Sequence, residues 1–142
     1  MGSRKIRLMQ ARLNSYLREQ RGKCFQLGTH DCFTFTNGAW RAMHGAGYAD
    51  KIIGKYSDLG PKGFKKLLLD AFGHDDIVDC FDAHMTRVDG LPPRGAIVMT
   101  SKSARWYTGK ALGIAVGTKA VFLSDADMVY IPVTETEGAW VK

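Results

Sequence analysis

The spacing of apolar residues divides the chain into a helical first half and a strand-rich second half. Apolar side chains recur every three or four positions over three segments, which predicts amphipathic helices from Ser3 to Gly22, over 32–45 and over 61–73. A loop rich in glycine and small polar residues, 46–57, separates the last two. The apolar positions are Ile6, Met9, Leu13, Tyr16 and Leu17; then Phe35, Ala39, Trp40 and Met43; then Phe64, Leu67, Leu68 and Ala71.

The second half consists of short segments rich in Val, Ile and Leu, separated by Gly, Asp and Lys. Such segments are typical of strands. Gly117-Thr118-Lys119 has the length of a hairpin turn between two of them. The acidic stretch that precedes them predicts a solvated turn, and 84–88 alternates loosely. The predicted strands are Ala96–Thr100, Ala111–Val116, Ala120–Leu123 and Met128–Val133, and the acidic residues are Asp75, Asp76, Asp79 and Asp82.

Helices followed by strands predict an α+β fold in which N-terminal helices pack on a C-terminal antiparallel β-sheet. The length of 142 residues is that of one domain, and 45% hydrophobic residues are enough for one core. We therefore expect a single domain over 1–142, with a basic helix at 1–23, a helical half at 24–80 and a sheet half at 81–142. No apolar stretch is long enough to cross a bilayer, and we expect no signal peptide.

The formal net charge of +6 comes from one end of the chain. Residues 1–23 hold seven basic residues and one acidic residue, whereas 24–142 hold thirteen of each. A cationic helix attracts acidic partners, although charge runs often only solvate a helix face. No aromatic residues interleave with these charges in the way that base stacking requires, which makes nucleic acid an unlikely partner. Arg4, Arg7 and Arg12 are the candidate contacts to a partner protein.

A second candidate contact is the pair Trp106 and Tyr107, with basic residues on both sides. An exposed aromatic and basic loop is one way to bind a partner, and a local packing cluster is the alternative.

Cys32 is the candidate nucleophile, because it lies where a loop becomes a helix. Unpaired backbone N–H groups at a helix start lower the pKa of a thiol. A nucleophilic cysteine also needs a base, and the candidates are His30 beside it and His84, the last histidine of the chain. The alternative is a buried, unreactive thiol, and the spacing alone favours it.

Metal binding has a weaker signal. Cys24, His30 and Cys32 form one group and His74, Cys80 and His84 another, but neither has the close ligand pairs of a zinc site. We therefore expect neither a metal nor another cofactor. The odd number of cysteines, three, does not indicate a disulfide framework.

Gly28-Thr29-His30-Asp31-Cys32, followed by a helix that contains a tryptophan, resembles small phage and prophage proteins related to NlpC-type, papain-like cell-wall cysteine peptidases. The similarity extends over nearly all of the chain that follows the basic helix. It includes Tyr56-Ser57, Leu59–Leu68, 93–98, 111–117 and 139–141. It implies an NlpC-like half-barrel with Asp31-Cys32 at the catalytic position.

The same resemblance shows two departures. The peptidases carry Gly-Asp before one strand and His-Val-Gly-Ile on the next, and this chain has Gly95-Ala96 and Ala111-Leu112-Gly113-Ile114 there. Ala111 therefore stands where the resemblance places the catalytic histidine, and alanine cannot accept a proton.

The resemblance implies a phage or prophage tail-assembly protein with an incomplete catalytic site. Its partners would be other tail or virion proteins. It would act in the bacterial host cytoplasm during assembly, or as part of the virion. The alternative is a cysteine hydrolase that cleaves a peptide or amide bond of peptidoglycan. In that case Cys32 is the nucleophile, Asp31 its neighbour, and His84 or His30 the base.

Overall fold

The computed structural model describes residues 3–23, 26–101, 110–124 and 127–142. Along the chain, its four helices come before the six strands of one sheet. The helices are α1 (Ser3–Gln20), α2 (Cys32–His44), α3 (Gly60–Phe72) and α4 (Ile77–His84). The strands are β1 (Thr86–Arg87), β2 (Ile97–Thr100), β3 (Ala111–Ala115), β4 (Lys119–Leu123), β5 (Met128–Pro132) and β6 (Gly138–Val141), with a short 3-10 turn at Val133–Glu135.

All strand pairs are antiparallel, in the order β1-β6-β2-β3-β4-β5. The predicted hairpin between β3 and β4 is confirmed, because the Val116 amide donates to the Lys119 carbonyl at 2.8 Å. The central strand β3 contains Gly113, where a Cβ atom would lie 2.4 Å from the Val121 carbonyl oxygen. The close approach of β3 and β4 therefore requires glycine at this position.

Alternation along the strands gives the sheet two buried faces. Leu112 and Ile114 of β3 point to the helices and join the main core. Ala115 of the same strand belongs to a smaller cluster on the other face, against which Ala111 also packs. The predicted α+β arrangement of helices packed on an antiparallel sheet is thus confirmed.

Three sequence-based expectations need correction. The acidic stretch is not a turn: the Asp76 side chain accepts from the Val78 amide and begins α4, whose apolar positions lie on one face between the aspartates. Because α4 continues to His84, the division expected after residue 80 falls inside a helix, and His84 is not on a strand. Ile6 is 47% exposed rather than packed, because it precedes the part of α1 that buries Leu13 and Leu17.

In the described ranges, which omit 24–25, 102–109 and 125–126, the structure has no helix of the length and apolarity needed to cross a membrane.

Candidate functional site

A tight loop holds the start of α2 in place. Backbone bonds join Gln26 and His30 in both directions, at 2.8 and 2.7 Å. Between them Gly28 has a φ of +88°, and a Cβ atom there would lie 2.9 Å from Ser57 Cβ. Glycine is therefore required at residue 28 both by the backbone conformation and by the contact with the 46–57 loop.

Asp31 is fully buried, and its carboxylate is surrounded by donors. The amides of Gly28 and Thr34 donate to it at 2.7 and 2.8 Å, and the Tyr56 hydroxyl donates to both of its oxygens at 2.9 and 2.7 Å. The Asp31 amide in turn donates to Thr34 Oγ1 at 2.8 Å, which completes a capping box. Asp31 thus fastens the loop, the first turn of α2 and Tyr56 to one another.

Cys32 is the first residue of α2 and is 6% exposed. Burial raises the pKa of its thiol to about 12, and the neighbouring Asp31 carboxylate acts in the same direction. The backbone N–H groups of Leu112, Cys32 and Phe33 oppose this increase but do not cancel it. The thiol is therefore protonated at neutral pH, whereas an activated nucleophile needs a lowered pKa.

The contact between Cys32 and Leu112 brings the start of α2 to the beginning of β3. Leu112 follows Ala111, the position that the resemblance assigns to a histidine. Ala111 is half-buried and packs on the second cluster. At this meeting point of helix and strand, residue 111 therefore supplies no base.

His30 lies beside the candidate nucleophile without a bond to it. Burial lowers the pKa of its imidazole, the Lys23 charge lowers it further, and the Asp31 charge opposes both. Its Nε2 atom is buried and has no hydrogen-bond partner among the described residues. The ring contacts the edge of Phe35, with the ring centroids 6.5 Å apart.

His84 belongs to a different part of the molecule. It ends α4, its Nε2 lies 3.0 Å from the Phe72 carbonyl oxygen, and its ring meets the Phe72 ring at a centroid distance of 5.7 Å. No contact in the described part of the chain joins it to Cys32. The structure therefore brings together Asp31, Cys32 and the backbone of His30, and it places His84 at the junction of α3 and α4.

The candidate partner contacts Arg4, Arg7 and Arg12 all lie on the exposed face of α1. The ion pairs found within the described ranges, Arg41 with Asp50 and Arg87 with Asp82, involve none of them. Trp106 and Tyr107 lie outside the described residues, as does Cys24.

The two cysteines that the structure describes are free thiols in separate places. Cys80 Sγ donates to the His74 carbonyl at 3.2 Å, and burial, with help from nearby aspartates, raises the pKa of this thiol to about 11. No cluster of three metal-binding side chains occurs within the ranges given above.

Sequence reasoning gave no role to Tyr56 or to Thr34. Aspartate is a usual N-cap residue, but the capping-box signature has Glu or Gln at the position of Thr34, so the sequence signals the cap and not its partner. Tyr56 lies 25 residues from Asp31 along the chain, so only the folded loop reveals their contact.

The fold is similar to that of a solved structure, the crystal structure of the NlpC/p60 domain of the peptidoglycan hydrolase SagA. The two share 13% sequence identity, with a TM-score of 0.54, over 96% of this chain and 97% of that one. At this identity the likeness concerns the fold alone. No curated protein matches the chain by sequence.

A family model matches residues 4–141, which is nearly the whole chain and includes both the basic helix and the Asp31-Cys32 site. The chain therefore belongs to the family described as a domain of unknown function, DUF6950.

Proposed function

We propose that this chain is a non-catalytic domain on an NlpC/p60-like fold that acts by binding other proteins, as a structural or assembly component of a phage or prophage tail. The observation that carries the non-catalytic part is the state of Cys32. Its side chain is sealed between α2 and β3, and its pKa is raised to about 12. Such a thiol is a poor nucleophile at neutral pH.

The surroundings of Cys32 support the same conclusion. Ala111 offers no proton acceptor, and His84 already contacts the Phe72 carbonyl at another place in the fold. His30 is adjacent, but burial lowers its pKa and it makes no hydrogen bond to the thiol. The buried carboxylate of Asp31 is occupied by three donors, two backbone amides and the Tyr56 hydroxyl, which it holds in place. Asp31 and Cys32 thus have a structural use that does not require catalysis.

The assembly role draws on the resemblance to small phage proteins and on the basic helix. Arg4, Arg7 and Arg12 extend from α1 into solvent without an ion pair to any described residue, so they are available to an acidic surface. Trp106 and Tyr107, which lie outside the described residues, stay a second candidate contact from the sequence.

The non-catalytic proposal is tested by the pH dependence of alkylation at Cys32, resolved from Cys24 and Cys80 by peptide mass spectrometry. We expect no labelling of Cys32 in the native protein between pH 6 and 8, and labelling after unfolding. Native labelling that stays fast below pH 7 would overturn the proposal. The protein should also release no peptides from purified peptidoglycan, and Cys32→Ser should behave as the unchanged protein does.

The assembly proposal is tested by capture of tail proteins from a phage or prophage lysate on the immobilised chain. Charge reversal at Arg4, Arg7 and Arg12 should weaken capture, most strongly at low salt. Cys32→Ser should leave capture intact. Capture that is unchanged by the charge reversal at low salt would mean that the charges of α1 only solvate the helix and do not bind a partner.

A cysteine hydrolase acting on peptidoglycan is the second candidate, and one observation favours it. Cys32 occupies the first turn of α2 and contacts the start of β3, which is the helix-and-strand meeting point that the resemblance assigns to a nucleophile and its base. This candidate requires a movement that exposes the thiol and brings a base to it. Peptide release that is lost in Cys32→Ser would support it.

A further inference from the structure

A cavity of about 440 Å³ lies on the helical side of the molecule, between α2, the 46–57 loop, α3 and α4. Cys32 does not line it, although the next residue, Phe33, does. The cavity is therefore separate from Asp31 and Cys32, although His84, the more distant candidate base, lines it. Its volume is in the range of pockets that hold a small ligand or one large side chain.

The inner wall of the cavity is apolar and mainly aromatic. Phe33, Trp40 and Phe81 are buried side chains, and Tyr48 and Phe72 are half-buried. Tyr48 meets Phe33, Trp40 and Phe81 edge to face, at centroid distances of 5.5, 5.9 and 5.4 Å. The Tyr48 hydroxyl is bonded to Thr36 at 2.7 Å, so it presents its ring rather than a free polar group. This wall fits a flat apolar or aromatic group.

The mouth of the cavity carries positive charge. Lys51 lines it, is exposed, and forms no ion pair with a described residue. Lys142 also lines it, but as the last residue of the sequence it carries an α-carboxylate beside its ammonium group, so Lys51 supplies the uncompensated charge. His84 adds an imidazole whose Nε2 already contacts the Phe72 carbonyl. An unpaired ammonium group beside an apolar wall is complementary to a ligand with a negative charge at one end.

The carboxylate at the mouth, Asp50, is already paired. It accepts hydrogen bonds from Asn37 at 2.9 Å and from the Gly47 amide at 3.0 Å, and it forms an ion pair with Arg41. Burial alone would raise the pKa of Asp50, but these donors hold it below its ordinary value, so the group stays ionised and neutralised by Arg41. Asp79 and its acidic neighbours lie near Cys80 on the α4 side and do not line the cavity.

We propose that this cavity binds a carboxylate attached to an apolar or aromatic group. The ring or aliphatic body would lie against Phe33, Tyr48 and Phe81, and the carboxylate would lie beside Lys51. A free aromatic or aliphatic acid has this chemistry, and so does the last residue of a polypeptide that ends in a large apolar side chain. The inference is independent of the function proposed above.

The test uses the whole chain and two probes, N-acetyl-phenylalanine and its uncharged primary amide. Binding is followed by the indole N–H signals in a proton–nitrogen correlation spectrum. We expect the acid to shift the Trp40 signal more than the Trp140 signal, because Trp40 lines the cavity, whereas Trp140 lies behind Phe81 and its indole donates to Asp82 at 2.8 Å. The amide should bind about three- to fivefold more weakly, as loss of a charge pair near a surface predicts.

Two kinds of variant locate the site. Lys51→Ala should weaken binding of the acid about threefold or more, whereas Lys55→Ala, which removes the same charge from the same loop outside the cavity, should not. Ala71→Leu places extra carbon atoms in the cavity from α3 and should reduce binding strongly. Because Lys51 is on the surface, its variant reports on the site even where Ala71→Leu disturbs the fold.

Each possible result of these experiments either supports or overturns the proposed carboxylate site. Equal binding of acid and amide, equal effects of Lys51→Ala and Lys55→Ala, or no binding at millimolar probe would each overturn the proposal. Binding of the acid that depends on Lys51 supports it. A peptide that ends in phenylalanine and binds more tightly than N-acetyl-phenylalanine identifies a chain end as the ligand, and equal affinity identifies a free acid.

Discussion

The start of α2 and the cavity beside it differ in how many of their polar and charged groups have hydrogen-bond or ion-pair partners. At the start of α2, the Asp31 carboxylate accepts hydrogen bonds from three donors and Cys32 is sealed against β3. Next to them, Phe33 forms part of an open cavity whose mouth carries Lys51 without an ion-pair partner in the described residues. The first region is closed and satisfied, and the second has room and unpaired charge.

This difference shows that a preserved motif and an available site are separate properties. Asp31-Cys32 is the part of the chain that resembles a catalytic motif, yet its contacts serve packing and capping. The cavity contains no motif, yet its geometry leaves space for a ligand. Changes at the start of α2 should therefore cost stability, and changes at the cavity should cost little.

Asp31→Ala should have the largest effect on stability. It removes the cap of α2 and leaves buried donors of Tyr56 and Gly28 without an acceptor, so we expect a loss of about 3 kcal/mol or more in the free energy of unfolding. Urea denaturation measures it. Asp50→Ala is the matched control, because that carboxylate is exposed, and it should cost clearly less. Equal losses in the two variants would mean that the start of α2 is not the more constrained region.

Alkaline pH should destabilise the fold by ionising the buried Cys32 thiol. Burial raises the pKa of the folded thiol to about 12, while an unfolded thiol titrates near pH 8.5. The protonated Cys32 thiol therefore contributes fully to the free energy of unfolding below about pH 8.5, and this contribution is lost as pH rises toward about 12. We expect the free energy of unfolding to fall over this window, and to fall less in Cys32→Ala.

Cys80→Ala is the control for this titration, and it should reduce the alkaline loss by a smaller amount, because burial raises the pKa of Cys80 only to about 11. The buried tyrosines, whose pKa values are also raised by burial, contribute to the alkaline loss in all three proteins. The charge of Cys32 adds to the increase at Tyr48 and Tyr56, so Cys32→Ala also reduces their share, in the same direction as the loss of the thiol. A Cys32→Ala variant with the full alkaline loss would show that the thiol is not sealed.

Tyr56→Phe removes a single hydrogen-bond donor of Asp31, the Tyr56 hydroxyl. The phenyl ring keeps the aromatic contacts with Phe33 and Phe64, at 5.8 and 5.4 Å, and only the hydroxyl is lost. We expect a loss of about 1–2 kcal/mol, because Asp31 keeps its backbone donors. A loss as large as that of Asp31→Ala would mean that the tyrosine, rather than the cap, carries the network.

Ala71→Leu should have the smallest effect on stability. It adds apolar volume to a cavity that already has space, so we expect the midpoint of urea unfolding to stay unchanged or to rise by an amount worth up to about 1 kcal/mol. A loss above about 2 kcal/mol would show that the cavity wall is as tightly packed as the start of α2.

Much of the fold was predictable because it depends on local periodicity. Helices α1, α2 and α3 and strands β2 to β5 follow from apolar spacing and from glycines at their ends, and the structure confirms each within a few residues. Helix α4 was missed because its three buried positions alternate with aspartates over only eight residues, too short a span for the period to stand out. Strand β6 was not predicted from the spacing of apolar residues.

The sequence by itself determined the order of helices and strands, the concentration of charge in α1 and the presence of Asp-Cys at a helix start. These properties depend on residues close together in the chain. Only the tertiary structure decided that Cys32 is sealed, that Asp31 binds Tyr56, and that Phe33, Phe81 and Lys142 surround one cavity. Burial and pKa depend on which distant residues exclude water from a group, and spacing along the chain does not encode that information.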